Sequence, residues 1–166
     1  MQIIEELEIL LGQKLYASSL ILAFMIPDIC AAISSENGES TKNKYKTWFK
    51  EYMKKYERHF NGDNAWNYRC ALLHQGKLKH PKSDYSSVYF TISQNIKFHN
   101  CIAYINKQKY YICDIEYFCR DVIGAYKNWH DVEKNKINYK RNMADVVKIY
   151  RSSLGNIIKP GIPVLS

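Results

Sequence analysis

The sequence has no Cys-x-x-Cys pair, no His and Cys residues at zinc-ligand spacing and no His-Glu-x-x-His, so the common zinc sites are not expected. It lacks a Walker A loop, a Gly-rich dinucleotide loop and the full Gly-x-Ser-x-Gly context of a hydrolase elbow. That removes the familiar nucleotide-binding and serine-hydrolase chemistries. No internal repeat is visible. The first residues are acidic instead of basic, so no signal peptide is expected. The apolar run Leu20-Ile21-Leu22-Ala23-Phe24-Met25-Ile26 is short for a bilayer and reads as a buried helix, with no membrane partner. Cys30, Cys70, Cys101, Cys113 and Cys119 form an odd set, which suits buried thiols in a reducing cytoplasm.

What is present suits one domain. The chain has 166 residues, 46% of them apolar, enough for a core of its own and too many for disorder. The net charge is +8 and it is divided unevenly: residues 1–40 hold one Lys and six acids, and residues 41–166 hold 23 bases and ten acids. A basic body of this kind is either an ordinary solvated surface or a polyanion-binding one. The 14 tyrosines suit half-buried surfaces and base stacking equally well.

The segment Arg69-Cys70-Ala71-Leu72-Leu73-His74-Gln75-Gly76 carries the clearest chemistry. A guanidinium holds phosphate, and an imidazole exchanges a proton near neutral pH. Gly62-Asp63-Asn64 offers an N-cap and Gly76 a C-terminal stop, which predicts a helix of about 12 residues with His74 in its last turn. Five residues of separation turn Arg69 and His74 about 140° apart on a regular helix. Convergence then needs the long Arg arm, a distorted last turn, or two copies facing across a two-fold axis. Cys70 reads as a small apolar filler or, less simply, a thiol nucleophile.

The Arg69-x4-His74 spacing on a helix resembles the R-x(4–6)-H motif of HEPN-domain proteins. The words Ile26-Pro27-Asp28-Ile29-Cys30-Ala31-Ala32, the motif segment itself and Cys113-Asp114-Ile115-Glu116-Tyr117-Phe118-Cys119 are similar to small uncharacterised bacterial proteins. The resemblance implies a helical bundle, usually dimeric. Many members are metal-independent ribonucleases, needing no cofactor, in toxin–antitoxin, abortive-infection and CRISPR-associated phage defence. Others only bind nucleotides or scaffold partners such as an antitoxin. Active members often place a polar residue directly after the arginine, where this chain has Cys70.

The remaining pattern predicts an α+β, mainly helical fold, which the resemblance implies is a HEPN-like helical bundle: one domain over 1–153, a small antiparallel β hairpin or sheet inserted at about 85–113, and an irregular tail over 154–166. Residues 2–34 read as helix with the stripe Ile3, Leu7, Leu10, Leu11 and Leu15, broken or kinked at Pro27. Asp28 is a cap, a salt-bridge partner, or a carboxylate that orients Arg69 or His74. Thr41 caps a helix over 42–59 with Tyr45, Trp48, Phe49, Tyr52, Met53 and Tyr56 at helical spacing. Lys77, Lys79 and His80 lie just past the motif helix, as RNA-binding guides or an ordinary exposed loop. Strands are expected at 88–92, 101–105 and 109–113, with a tight turn at Asn106-Lys107-Gln108. Their tyrosines either form a stacking platform or pack on the bundle. Asp114 caps an amphipathic helix through Trp129, and a last helix over about 139–152 turns Met143, Val146, Val147 and Tyr150 inward.

Three readings stay open. Arg69 and His74 catalyse RNA cleavage to 2′,3′-cyclic phosphate ends in a homodimer. They belong to a non-catalytic module that binds nucleic acid, a nucleotide or a protein. Or they are structural, with Arg69 paired to an acid such as Asp28 and His74 on helix-end carbonyls.

Overall fold

The computed structural model describes residues 2–92, 98–150 and 164–165. Two helices, α1 (Gln2–Gly12) and α2 (Tyr16–Ser34), replace the expected continuous one. The break lies at Gln13–Leu15, where Lys14 takes a left-handed φ of 58°. Ile4, Leu7 and Leu11 bury the stripe of α1, while Leu15 sits in the turn and is exposed. α2 continues through Pro27 with no helix boundary there. An interior proline removes one backbone bond and costs about 3 kcal/mol. Burial of Leu20, Phe24, Ile26 and Cys30 on the same helix offsets it. α2 is the central element and packs on α1, α3, α4, α5 and α6. By length and composition α2 is apolar enough to cross a bilayer, and half of that stretch is buried inside the fold.

Helix α3 (Lys42–Tyr52) starts as expected, with the Lys44 amide donating to Thr41 Oγ1 at 3.3 Å. It ends seven residues early, and a 3₁₀ turn at Lys54–Tyr56 follows. That turn drops Met53, Tyr56 and Phe60 into the core. Helix α4 (Gly62–Gln75) carries the motif. Its cap is Asn61, whose Oδ1 accepts from the Asn64 amide at 3.0 Å, one residue before the expected Gly62-Asp63-Asn64. Gly62 is instead where α4 crosses α3: a Cβ there would lie 2.9 Å from the Lys46 carbonyl oxygen.

The insertion is a three-stranded sheet of β1 (Ser87–Thr91), β2 (Cys101–Ile105) and β3 (Gln108–Asp114), in the order β1-β3-β2. β2 and β3 form the expected antiparallel hairpin, turned by Asn106 and Lys107 at positive φ. β1 pairs with β3 in parallel, so the sheet is mixed and not antiparallel. Alternation of apolar residues sets which face of a strand is buried but not which way it runs. Either direction turns Val88 and Phe90 to the same face; run in parallel, Val88 lies beside Tyr111 and Phe90 beside Cys113.

The Tyr117 amide donates to Asp114 Oδ1 at 3.1 Å and opens α5 (Ile115–Glu133), which buries Phe118, Cys119, Val122, Tyr126 and Trp129 as the spacing predicts. The last helix is shorter than expected. α6 covers only Ile137–Asn142, a 3₁₀ turn spans Met143–Asp145, and Val147 is 61% exposed. The side chain of Tyr150, expected inward, lies outside what is described, as do residues 151 and 152. Asn142 ends the helix by donating its side-chain amide to Ile33 O at 2.9 Å and Ser35 O at 2.7 Å, the free C-terminal carbonyls of α2. β4 (Ile149–Tyr150) then pairs antiparallel with β5 (Val164–Leu165), so the expected irregular tail contains a strand. The rest of that tail lies outside the described residues. One apolar core collects side chains from α1 through α6 and the inner sheet face, a mainly helical α+β architecture.

Candidate functional site

The motif helix ends at Gly76, which has φ +62°, and the Gly76 amide donates to Leu72 O at 3.0 Å. The chain leaves α4 there, which puts His74 at an exposed helix end. Arg69 lies one and a half turns earlier and is only 21% exposed. Its arm turns toward α2, where its Nε donates to Asp28 Oδ2 at 2.6 Å. The other carboxylate oxygen of Asp28 accepts from Ser40 Oγ at 2.8 Å. Trp66, three residues before Arg69, sets its ring 5.1 Å from the guanidinium carbon.

These contacts decide where the guanidinium points. With Nε taken by Asp28 and one face on Trp66, Nη1 reaches 3.4 Å from His74 Nε2. The long Arg arm closes the angular gap within one copy, so a two-fold partner is not required to bring the two groups together. Nη2 has no hydrogen-bond partner among the described residues. The pair therefore presents unused guanidinium donors beside an exposed imidazole, an arrangement that can hold a phosphate oxygen and move a proton. His74 bonds Arg69 and not the helix-end carbonyls.

Asp28 fits the expectation of a carboxylate that pairs with and orients Arg69. The pair is mostly buried, so removing one member strands the other. We expect Arg69→Ala and Asp28→Ala each to cost about 2 kcal/mol of unfolding free energy, measured by urea titration. A change under 0.5 kcal/mol in both would show that the ion pair carries no structural role.

Lys77, Lys79 and His80 are not brought to this pair. Lys77 and Lys79 are exposed, and none of the three has a hydrogen bond or ion pair to Arg69 or His74. Lys79 and His80 instead line a groove of about 420 Å³ against Tyr89, Gln108 and Tyr110 of the sheet. α4 anchors that loop: Asn67 Nδ2 donates to Lys82 O at 3.3 Å, and the Tyr68 hydroxyl meets Ser83 Oγ at 2.7 Å.

A second polar cluster escaped the sequence reading. His99 Nε2 lies 3.2 Å from the Tyr56 hydroxyl, which donates to Asp121 Oδ2 at 2.5 Å, and His99 Nδ1 lies 3.5 Å from Cys113 Sγ. Lys55 closes the chain on Asp121 Oδ1 at 2.5 Å. Four separate segments supply it, so no local spacing announces it. It has the parts of a cysteine–histidine–acid triad, but burial pushes the Cys113 thiol up to about 12 and the residue is wholly enclosed. A thiolate nucleophile is not available there, and the cluster is a structural tie between α5, the sheet and the Lys54–Tyr56 turn.

Burial also lowers the His99 pKa, against the opposing pull of Asp121. The unfolded chain then binds the extra proton first, so stability contributed by neutral His99 is complete above the ordinary histidine value of about 6.5 and is lost as pH falls through the lower folded value. We expect thermal stability to fall as pH drops below about 6.5, and the fall to be smaller in His99→Gln. Equal slopes in both proteins would overturn the assignment.

Among the described residues no group of three or more His, Cys, Asp or Glu is placed to hold a metal ion. Compared with models of known families, with curated proteins and with solved structures, the chain matches none.

Proposed function

We propose that this protein is a metal-independent RNA endonuclease of the HEPN type, with Arg69 and His74 as its catalytic pair. The observation that supports it best is the 3.4 Å approach of Arg69 Nη1 to His74 Nε2 at an exposed helix end. His74 takes the proton of a ribose 2′-hydroxyl. The 2′-oxygen attacks phosphorus, the bond to the 5′-oxygen breaks, and the leaving oxygen takes up a proton. Arg69 stabilises the added charge on the phosphoryl oxygens. The products are a 2′,3′-cyclic phosphate and a 5′-hydroxyl. In a homodimer the pair is repeated, so one imidazole accepts the proton and the other supplies one. Such an enzyme fits a cytoplasmic toxin or phage-defence component held in check by an antitoxin.

The Asp28–Arg69 ion pair favours the second reading, a non-catalytic module that binds RNA, a nucleotide or a protein. A carboxylate on the guanidinium lowers its pull on phosphate. End-labelled RNA incubated with the protein in EDTA separates the two. Fragments ending in cyclic phosphate support the endonuclease, and intact RNA retained by the protein supports the module.

A further inference from the structure

The sheet has a second face that the core does not use. Alternation along the strands sends Val88, Tyr111 and Cys113 into the core and Tyr89, Tyr110, Ile112 and Cys101 outward. Tyr89 is 54% exposed, and its ring lies near-parallel to that of Tyr110, 25° off at 5.9 Å between centroids. A tyrosine exposed this far on a strand gains little from burial. Two neighbouring rings of like tilt on one sheet face offer π-faces at which bases can stack.

The segments that carry these rings are mainly basic, and Lys79 lines the same groove as both of them. Residues 76–92 and 101–113 hold five lysines, Lys77, Lys79, Lys82, Lys107 and Lys109, and one acid, Asp84. Lys79 and His80 wall the groove whose floor includes Tyr89 and Tyr110. Aromatic faces beside flexible cations are the two parts that single-stranded nucleic acid requires, one for bases and one for phosphates. A duplex hides its base faces and would leave the tyrosines unused.

We propose that the outer sheet face, with Tyr89 and Tyr110 as stacking residues and Lys79 and His80 at its wall, binds single-stranded RNA and leads it to Arg69 and His74. The choice of RNA over DNA rests on the endonuclease reading. Continuity of the chain supports the path: His80 is six positions beyond His74, so their Cα atoms lie within about 22 Å. A short run of nucleotides covers that gap.

The test uses fluorescein-labelled 12-mer oligouridylate, alone and as its duplex with oligoadenylate, in EDTA. The protein carries His74→Ala so that binding is read without cleavage. The single strand is expected to bind more tightly than the duplex, with affinity falling steeply as salt rises. Adding Tyr89→Ala and Tyr110→Ala is expected to weaken single-strand binding at least five-fold. Tyr89→Phe with Tyr110→Phe keeps both rings and is expected to retain affinity, which separates stacking from damage to the fold. Unchanged affinity in the alanine variant, tighter binding of the duplex, or no binding of the single strand would each overturn the platform. Failure of the endonuclease reads differently. Wild-type protein that binds RNA through the tyrosines and never cuts it leaves the platform standing. Cleavage that ignores the tyrosines sinks the platform alone.

Discussion

His74→Ala is expected to lower RNA cleavage by at least a hundred-fold while leaving the unfolding temperature unchanged. General acid–base catalysis contributes about 10²–10⁴ in rate, and His74 is the one imidazole beside the Arg69 guanidinium. Its side chain is exposed at the helix end, and among the described residues its one hydrogen-bond contact is the 3.4 Å approach to Nη1. Surface substitutions of this kind shift stability by about 0.5 kcal/mol or less. Activity and fold are thus separable at His74. They are not separable at Arg69, whose removal leaves Asp28 stranded in a mostly buried position. A loss of cleavage in Arg69→Ala therefore says less than the same loss in His74→Ala. Initial rates on end-labelled RNA, with thermal melts of the same preparations, check the expectation. Cleavage by His74→Ala at the wild-type rate would remove the proposed mechanism.

Phe60→Ala is expected to destabilise the fold by about 3–5 kcal/mol, the largest effect of any single change considered. Phe60 is fully buried and sits among four other rings. It stacks on Tyr111 at 4.7 Å and 17°, and touches Tyr68 at 5.6 Å, Phe49 at 6.3 Å and Phe24 at 6.4 Å. Those partners belong to β3, α4, α3 and α2. One ring therefore joins the bundle to the sheet, directly before the Asn61 cap of the motif helix. Its loss opens a cavity where four elements meet, and such a gap collapses poorly. Against a total of about 5–15 kcal/mol, the variant loses a large share of its stability. The melting temperature should drop by roughly 6–20 °C for a chain of this size. A drop below 3 °C would show that the interior repacks around the gap.

Local signals in the chain carried a good part of this. Thr41 and Asp114 read as helix caps because a hydroxyl or carboxylate before an apolar-periodic run has an amide to accept from, and both do. Gly76 read as a helix stop because a left-handed φ costs glycine least, and that is the conformation it takes. Asn106-Lys107-Gln108 marked a hairpin because a short polar stretch there separates two β-rich runs. Signals that depend on a competing long-range energy misled. Pro27 marks a break in an isolated helix, but burial of α2 on five neighbouring helices outweighs one lost backbone bond. Periodicity carried α3 to residue 59, yet a 3₁₀ turn there seats Tyr56 and Phe60 better than continued helix. The same periodicity extended the last helix past Asn142, whose amide caps α2 instead.

The sequence by itself determined the Thr41 and Asp114 caps, the turn of the hairpin and the presence of Arg69 and His74 on one short helix. Each follows from residues within about five positions of one another, where backbone geometry and side-chain reach settle the outcome. Only the tertiary structure decided the rest. It turned the guanidinium onto Asp28, 41 residues away, and so aimed Nη1 at the imidazole. It ran β1 parallel to β3, gathered Tyr56, His99, Cys113 and Asp121 from four segments, and set Lys79 and His80 against Tyr89 and Tyr110. Those pairings depend on which elements share a core and which faces the core leaves over. That balance is struck over the whole chain at once, and no local spacing records it.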